Sequence, residues 1–148
     1  MFSAVVVGTD GSQTAQTAVR QAIELARQVG SRLLIVSAYE PVPEQRLRAA
    51  RFDVPTDLEW IVNPRDDVLA LLEEAHEQAQ TAGVGEVETF ACQGDAADAI
   101  LDVAEERGAD LIVVGNKGMT GAKRFLLGSV PNKVSHHAPC SVLIVRTT

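Results

Sequence analysis

Leu111-Ile112-Val113-Val114-Gly115-Asn116-Lys117-Gly118, closed after nine further residues by Gly128-Ser129, decides how this chain folds. Four apolar residues run together and end in glycine. Such a run suits a strand covered on both faces, as in a parallel sheet. A glycine-rich loop follows, and Gly128-Ser129 then opens a helix. Backbone N–H groups at a junction of this kind converge on one point, which suits the phosphates of a nucleotide. The pattern speaks of binding and does not by itself specify catalysis.

Charge agrees with it. From Leu111 to Thr148 there is no Asp or Glu, while Lys117, Lys123, Arg124, Lys133 and Arg146 contribute +5. The whole chain carries −7, so residues 1–110 carry −12. A basic segment on an acidic protein is a local anion site in outline. Overall acidity argues against nucleic acid as the partner.

Working outward, the rest of the chain repeats the strand–helix alternation. Of 148 residues, 46% are hydrophobic but only 4% aromatic, so Val, Ile, Leu and Ala must build the core. The length fits a single domain, residues 1–148. Strands are expected near 4–8, 32–38, 87–92, 111–114 and 141–146. Ser12 caps a helix that runs to about Val29 and stops at Gly30, with Ala15, Ala18, Val19, Ala22, Ile23 and Ala26 on one face. Asn63-Pro64 opens a second helix, with Asp66 in its first turn and Val68, Leu71, Leu72, Ala75 and Ala79 inward. Asp95 caps a third to about Arg107, with Ile100, Leu101 and Ala104 inward, and a last one spans about 129–137. The stretch 41–63 contains Pro41, Pro43 and Pro55, lacks periodicity, and reads as a long loop or a short helical excursion. Alternation of this kind makes βαβ units, a parallel sheet and helices on both faces. Ligands of such sheets sit where the winding reverses, at the carboxyl ends of the strands. Two loops suit that place: Gly8-Thr9-Asp10-Gly11-Ser12 and 115–128.

Other features are expected to be plain. Cys92 and Cys140 form no Cys-x-x-Cys pair and read as buried, reduced thiols. No apolar run approaches the ~20 residues needed to cross a bilayer. No signal peptide is visible, so a soluble cytoplasmic protein without membrane contact is expected. Adjacent His136 and His137 point in different directions on a helix and make a poor metal pair. His76, on a helix rich in Glu, should face solvent.

Three motifs together resemble the universal stress protein family: Val-Val-Gly-Thr-Asp-Gly-Ser at 6–12, Gly-x2-Gly-x9-Gly-Ser at 115–129, and His137-Ala138-Pro139-Cys140-Ser141-Val142-Leu143. The resemblance covers nearly the whole chain and points to the family's nucleotide-binding branch. It implies a single-domain, doubly wound α/β fold with a five-stranded parallel sheet of order 3-2-1-4-5. It also implies a homodimer, commonly formed through the last strand, here Ser141 to Val145. An uncovered apolar edge would otherwise invite aggregation.

The resemblance further implies an adenine nucleotide, ATP foremost, with magnesium or manganese as its possible companion. Asp10 would bond the ribose hydroxyls or help hold the ion; its plain reading is a turn residue. Gly8, Thr9 and Gly11 would let the backbone approach the nucleoside. Ala38 and Tyr39 would read the adenine edge through their backbone. Val114, Gly115 and Gly118 would border the ribose and phosphates, and Lys117 would pair with phosphate. Gly128, Ser129 and Val130 would meet the outer phosphates, although Ser129 also reads as a simple N-cap. Pro131 departs from a hydroxyl residue common in relatives. It offers neither hydroxyl nor N–H, which fits a smaller ligand such as cyclic AMP.

Competing classes fit less well. No Walker sequence is present, and no general base flanks the phosphate loop. Asp10 with a metal could support only slow ATP hydrolysis, and no catalytic residue is assigned. A flavodoxin needs a hydroxyl-rich loop after the first strand, where Asp10 would repel phosphate. A receiver domain needs a phosphate-accepting Asp after the third strand, where Asp95 reads as a helix cap.

Overall fold

Five strands alternate with four helices among the described residues: β1 Ala4–Gly8, α1 Gln13–Val29, β2 Arg32–Tyr39, α2 Pro64–Ala82, β3 Val87–Gln93, α3 Ala96–Glu106, β4 Leu111–Gly115, α4 Ser129–His137 and β5 Ser141–Val145. The structure is a computed structural model and describes residues 1–40, 64–116 and 127–147. The strands form one parallel sheet of order β3-β2-β1-β4-β5. This is the order expected from the sequence, with the winding reversed between β1 and β4.

Because strand side chains alternate, the apolar runs feed two cores. Val5, Val7, Leu33, Ile35, Leu111 and Val113 pack against α1 and α2. Ala4, Val6, Leu34, Val36, Ile112 and Val114 pack against α3 and α4. Ala18, Ala22 and Ala26, one turn apart on α1, are all buried. Small side chains there let the helix lie close to the sheet.

Helix ends follow their local chemistry. The Ala15 N–H donates to Ser12 Oγ at 3.2 Å, and the Asp98 N–H to Asp95 Oδ2 at 3.0 Å. Each bond satisfies one of the four N–H groups a helix start leaves without partners. Gly30 ends α1 in the left-handed region, φ 70°, which glycine reaches without a Cβ penalty.

Some expectations shift. β2 and β3 each run one residue further, to Tyr39 and Gln93. Val68, Leu71 and Leu101 point inward as expected but are only half-buried, Val68 and Leu101 packing against the two cores. Cys92 and Cys140 are free but only half-buried, and burial pushes both thiols up, away from thiolate chemistry. His76 is half-buried rather than solvent-facing. The 41–63 stretch and Asn63 lie outside the described residues. No helix among them is long and apolar enough to cross a membrane.

A candidate nucleotide cleft at the tips of β1 and β4

The sheet opens where its winding reverses. Pairing of β1 with β2 continues to Gly8–Val36, and β4 with β5 to Gly115–Val145. Pairing of β1 with β4 stops at Val7–Val113. The two tips therefore part, and a cleft half open to solvent lies between them. Its floor includes Gly8, Val36, Val114 and Gly115. One wall is polar: Thr9, Asp10, Ser12 and Thr14, at the start of α1. The other is apolar: Ile100 of α3 with Val130 and Pro131 of α4. An apolar cleft with a few placed polar groups is the usual build of a small-molecule site.

Ala38 contributes backbone. Along β2, successive residues turn their N–H and C=O toward alternate neighbours. The Arg32 N–H donates to Ser3 O at 3.1 Å, and Val36 O accepts from the Thr9 N–H at 2.9 Å, so even-numbered residues face β1. The Leu33 N–H donates to Glu86 O, and Tyr39 O accepts from the Gly94 N–H, both at 2.9 Å, so odd-numbered residues face β3. Ala38 therefore presents its N–H and C=O toward β1, beyond the point where β1 has ended. Neither group has a partner among the described residues, and Ala38 lines the cleft. Tyr39 does not; its carbonyl is spent on Gly94.

The β1 loop is held from within. Thr9 is buried, and its Oγ1 accepts from the Gly11 N–H at 3.2 Å. Gly11 sits at φ 81°, where a Cβ would be strained. Asp10 Oδ1 accepts from the Ser12 N–H at 2.7 Å. Asp10 is thus a turn residue and a cleft residue together. Gly8 has a packing role that sequence reasoning missed. A Cβ there would collide with Ile100 Cδ1 and lie 3.0 Å from Ile100 Cγ1.

On the opposite side, Gly128, not Ser129, is the N-cap of α4, and no side chain caps that end. The Asn132 N–H makes the first intrahelical bond, to Gly128 O at 3.0 Å. Ser129 and Val130 therefore hold N–H groups that no turn of the helix consumes. Pro131 has none, and it is buried in the cleft wall. Lys117 and Gly118 lie outside the described residues. Gly11, Gly128 and Ser129 flank the cleft in sequence without being among its described walls.

Asn116 is a second residue the sequence did not single out. Its N–H donates to Val145 O at 2.9 Å, and its carbonyl O accepts from the Gly128 N–H at 3.0 Å. Its Oδ1 accepts from the Thr147 N–H at 2.8 Å and Thr147 Oγ1 at 2.9 Å. One residue thus ties the end of β4, the start of α4 and the tail of β5, the first two through its backbone and the last through backbone and side chain.

The basic segment is partly spoken for. Lys133 Nζ lies 2.8 Å from Asp98 Oδ1 and 3.4 Å from Asp95 Oδ2. The Asp98 carboxylate beside it raises the Lys133 pKa. Lys133 therefore joins α4 to α3 instead of waiting for an anion. Among the described residues no group of three or more His, Cys, Asp or Glu side chains is placed to hold a metal ion.

A family model described as the universal stress protein family matches residues 1–146. Universal stress protein Rv1636 of Mycobacterium tuberculosis is 42% identical over 147 residues, covering 99% of this chain and 98% of its own. Universal stress protein YxiE of Bacillus subtilis is 37% identical, covering 99% and 100%. Among solved structures, a universal stress protein in complex with cAMP is 35% identical, with TM-score 0.73, covering 99% and 98%. The chain belongs to the universal stress protein family.

Proposed function

We propose that this protein binds an adenine nucleotide in the cleft between β1 and β4 and acts as a regulatory binder, not a catalyst. The observation that carries this reading is the N–H and C=O of Ala38, without a partner among the described residues and facing the cleft beyond the end of β1. A donor and an acceptor side by side match the Watson–Crick edge of adenine, and the small side chain leaves room for the ring. Val114 and Gly115 border the sugar. The N–H groups of Ser129 and Val130, at a positive helix end, receive phosphate. Lys117 and Gly118 complete the phosphate loop. Asp10 is the sole carboxylate among the described cleft residues, which leaves hydrolysis without a free general base.

Within that class, cyclic AMP is favoured over ATP. Pro131 removes one N–H from the α4 start, so the cradle suits one phosphate better than three. The cAMP complex of a relative 35% identical supports the same choice. With ATP, a magnesium or manganese ion would travel on the phosphates. The edge strand β5 is the dimerisation surface in this reading, and the cytoplasm is the compartment.

Calorimetric titration with cyclic AMP and with ATP, each with and without magnesium, tests it. Cyclic AMP should bind tighter. Pro131→Ser returns an N–H and adds a hydroxyl. It should raise ATP affinity by up to about tenfold, the worth of one added hydrogen bond. Binding of neither nucleotide would remove the adenine reading, and a magnesium-dependent preference for ATP would reverse the choice within it.

A further inference from the structure

The sheet has two edges, and they offer a partner different chemistry. β5 lies in the segment without Asp or Glu and exposes Leu143 and Ile144. β3, the other edge, pairs only with β2 among the described residues. The Leu33 N–H donates to Glu86 O and the Gly94 N–H to Tyr39 O, so even-numbered residues here turn their main-chain groups toward β2. Val87, Thr89, Ala91 and Gln93 therefore turn theirs away from the sheet. Those N–H and C=O groups have no partner among the described residues. Thr89 and Gln93 are exposed, so this edge reaches solvent.

The flanks of the edge carry one sign of charge. α2, β3 and α3 together hold ten Asp or Glu residues and a single Lys or Arg, Arg65. Side chains of β3 alternate: Val87 and Ala91 pack on the core under α2, Phe90 and Cys92 on the core under α3. On the α3 side Arg107 is already spent. Its Nη1 lies 3.4 Å from Glu88 Oε2, and its guanidinium lies 4.9 Å from the centre of the Phe90 ring. Asp102 and Glu106, one turn apart on α3, are exposed and have no ion-pair partner among the described residues. After burial, the charges of Glu106 and then Asp102 push the Cys92 thiol up, so both carboxylates act on the end of β3.

A free edge is a template for a further strand. Pairing β3 with β3 of a second copy would bring two acidic flanks together, and like charges in contact are costly. A neutral strand gains main-chain bonds and nothing from the flanks. An extended basic segment gains both. Strand side chains alternate, so Lys or Arg at every second position all fall on one face, where Asp102 and Glu106 can meet them.

We infer that the β3 edge is a docking site for an extended partner segment with Lys or Arg at alternate positions, which joins the sheet beside β3. The inference is independent of the nucleotide reading of the cleft.

The probe is a fluorescein-labelled peptide of alternating Lys and Val, as long as β3, followed by fluorescence anisotropy. Wild type should bind it and ignore the peptide with Glu in place of Lys. N-methylation throughout keeps the charge but removes every main-chain donor, and should weaken binding by about tenfold or more. Thr89→Pro removes an outward N–H at a place where an edge strand tolerates proline, and should abolish binding, while Thr89→Val keeps it. Asp102→Asn with Glu106→Gln should cost about 3- to 10-fold. Urea midpoints establish that each variant is folded; should Thr89→Pro fail to fold, the N-methylated peptide and the charge variant decide. No binding of the Lys peptide overturns the inference. So does equal binding of the N-methylated peptide, which marks charge attraction without a strand, or full binding by a folded Thr89→Pro. A wild-type mass above that of a dimer that Thr89→Pro brings down would assign the edge to a second copy and overturn it as well.

Discussion

β1 and β5 are nearly the same strand in sequence and opposite in circumstance. Ala4-Val5-Val6-Val7-Gly8 and Ser141-Val142-Leu143-Ile144-Val145 are both five residues long and mostly β-branched. Val5, Val6 and Val7 are 0% exposed, while Leu143 is 42% and Ile144 36% exposed. β1 pairs on both sides and is covered by helices above and below; among the described residues β5 pairs only with β4. An apolar run therefore tells how a strand would like to be buried, and its place in the sheet decides whether it is. The unfilled demand of β5 supports a second copy of the chain as its cover.

A matched pair of lysines is the strongest way to break this contrast. Val6→Lys places an ammonium in the core shared with α3, without a partner. The cost is about 4–5 kcal/mol or more, enough to abolish cooperative unfolding in a marginally stable domain. Leu143→Lys should change the stability of the single chain by only about 0.5 kcal/mol, because the long stem can lie along the edge with its charge in water. In the proposed β5-paired dimer it should also bring the mass down to that of a monomer in sedimentation equilibrium. Comparable destabilisation by both substitutions in chemical denaturation would mean that β5 is as integral to the core as β1. An unchanged mass for Leu143→Lys would remove β5 from the dimer interface.

The strand ends sharpen the comparison. β1 ends in Gly8 and β5 in Val145, and a Cβ added at Gly8 would run into the Ile100 side chain of α3. Gly8→Ala forces Ile100 to move and should cost about 1–3 kcal/mol, as overpacking does. Ile100→Val removes the colliding Cδ1 and alone costs about 0.5–1.5 kcal/mol. In urea denaturation the double variant should be more stable than the sum of the two losses, by about 1 kcal/mol. Strict additivity would show that Gly8 is glycine for the ligand's sake and not for packing.

Much of this was legible from the chain. The parallel sheet followed from alternation, its strand order from the family resemblance, and the cleft fell at the tips of β1 and β4, where the two glycine-marked loops begin. Ser12, Gly30 and Asp95 announced helix ends, because capping is chemistry within a few residues. What stayed hidden depended on distant partners. Gly8 read as room for a nucleoside, yet it also makes room for Ile100, which lies 92 positions later and nothing local connects to it. Asn116 sat inside the decisive motif without a role, because its bonds to Thr147 require β5 to be in place. Lys133 counted toward an anion site until α3 brought Asp95 and Asp98 beside it. Ser129 read as a cap because serine usually caps; the backbone of Gly128 took the position instead.

The smallest effect concerns how the two strands are fastened. β1 is clamped at its start: Asp110 Oδ2 accepts from the Ser3 N–H at 2.8 Å and Ser3 Oγ at 3.1 Å, and Oδ1 accepts from the Ala4 N–H at 3.0 Å. β5 is clamped just beyond its end by the Asn116 amide, which has no proton to gain in acid. Burial pushes the Asp110 carboxyl up, but the bonds from Ser3 and Ala4 outweigh it and hold it below the usual aspartate range. A carboxyl depressed in the folded state contributes stability that is present above its unfolded pKa, about 4, and is lost as pH falls through the lower folded value. The clamp on β1 should therefore loosen in acid while the clamp on β5 holds. Asp110→Asn should be less stable than wild type at pH 7 and should lose less on going to pH 3, as read from urea midpoints at the two pH values. An identical loss in both proteins would place the acid sensitivity elsewhere. It would leave the two clamps distinguished by position in the sheet alone.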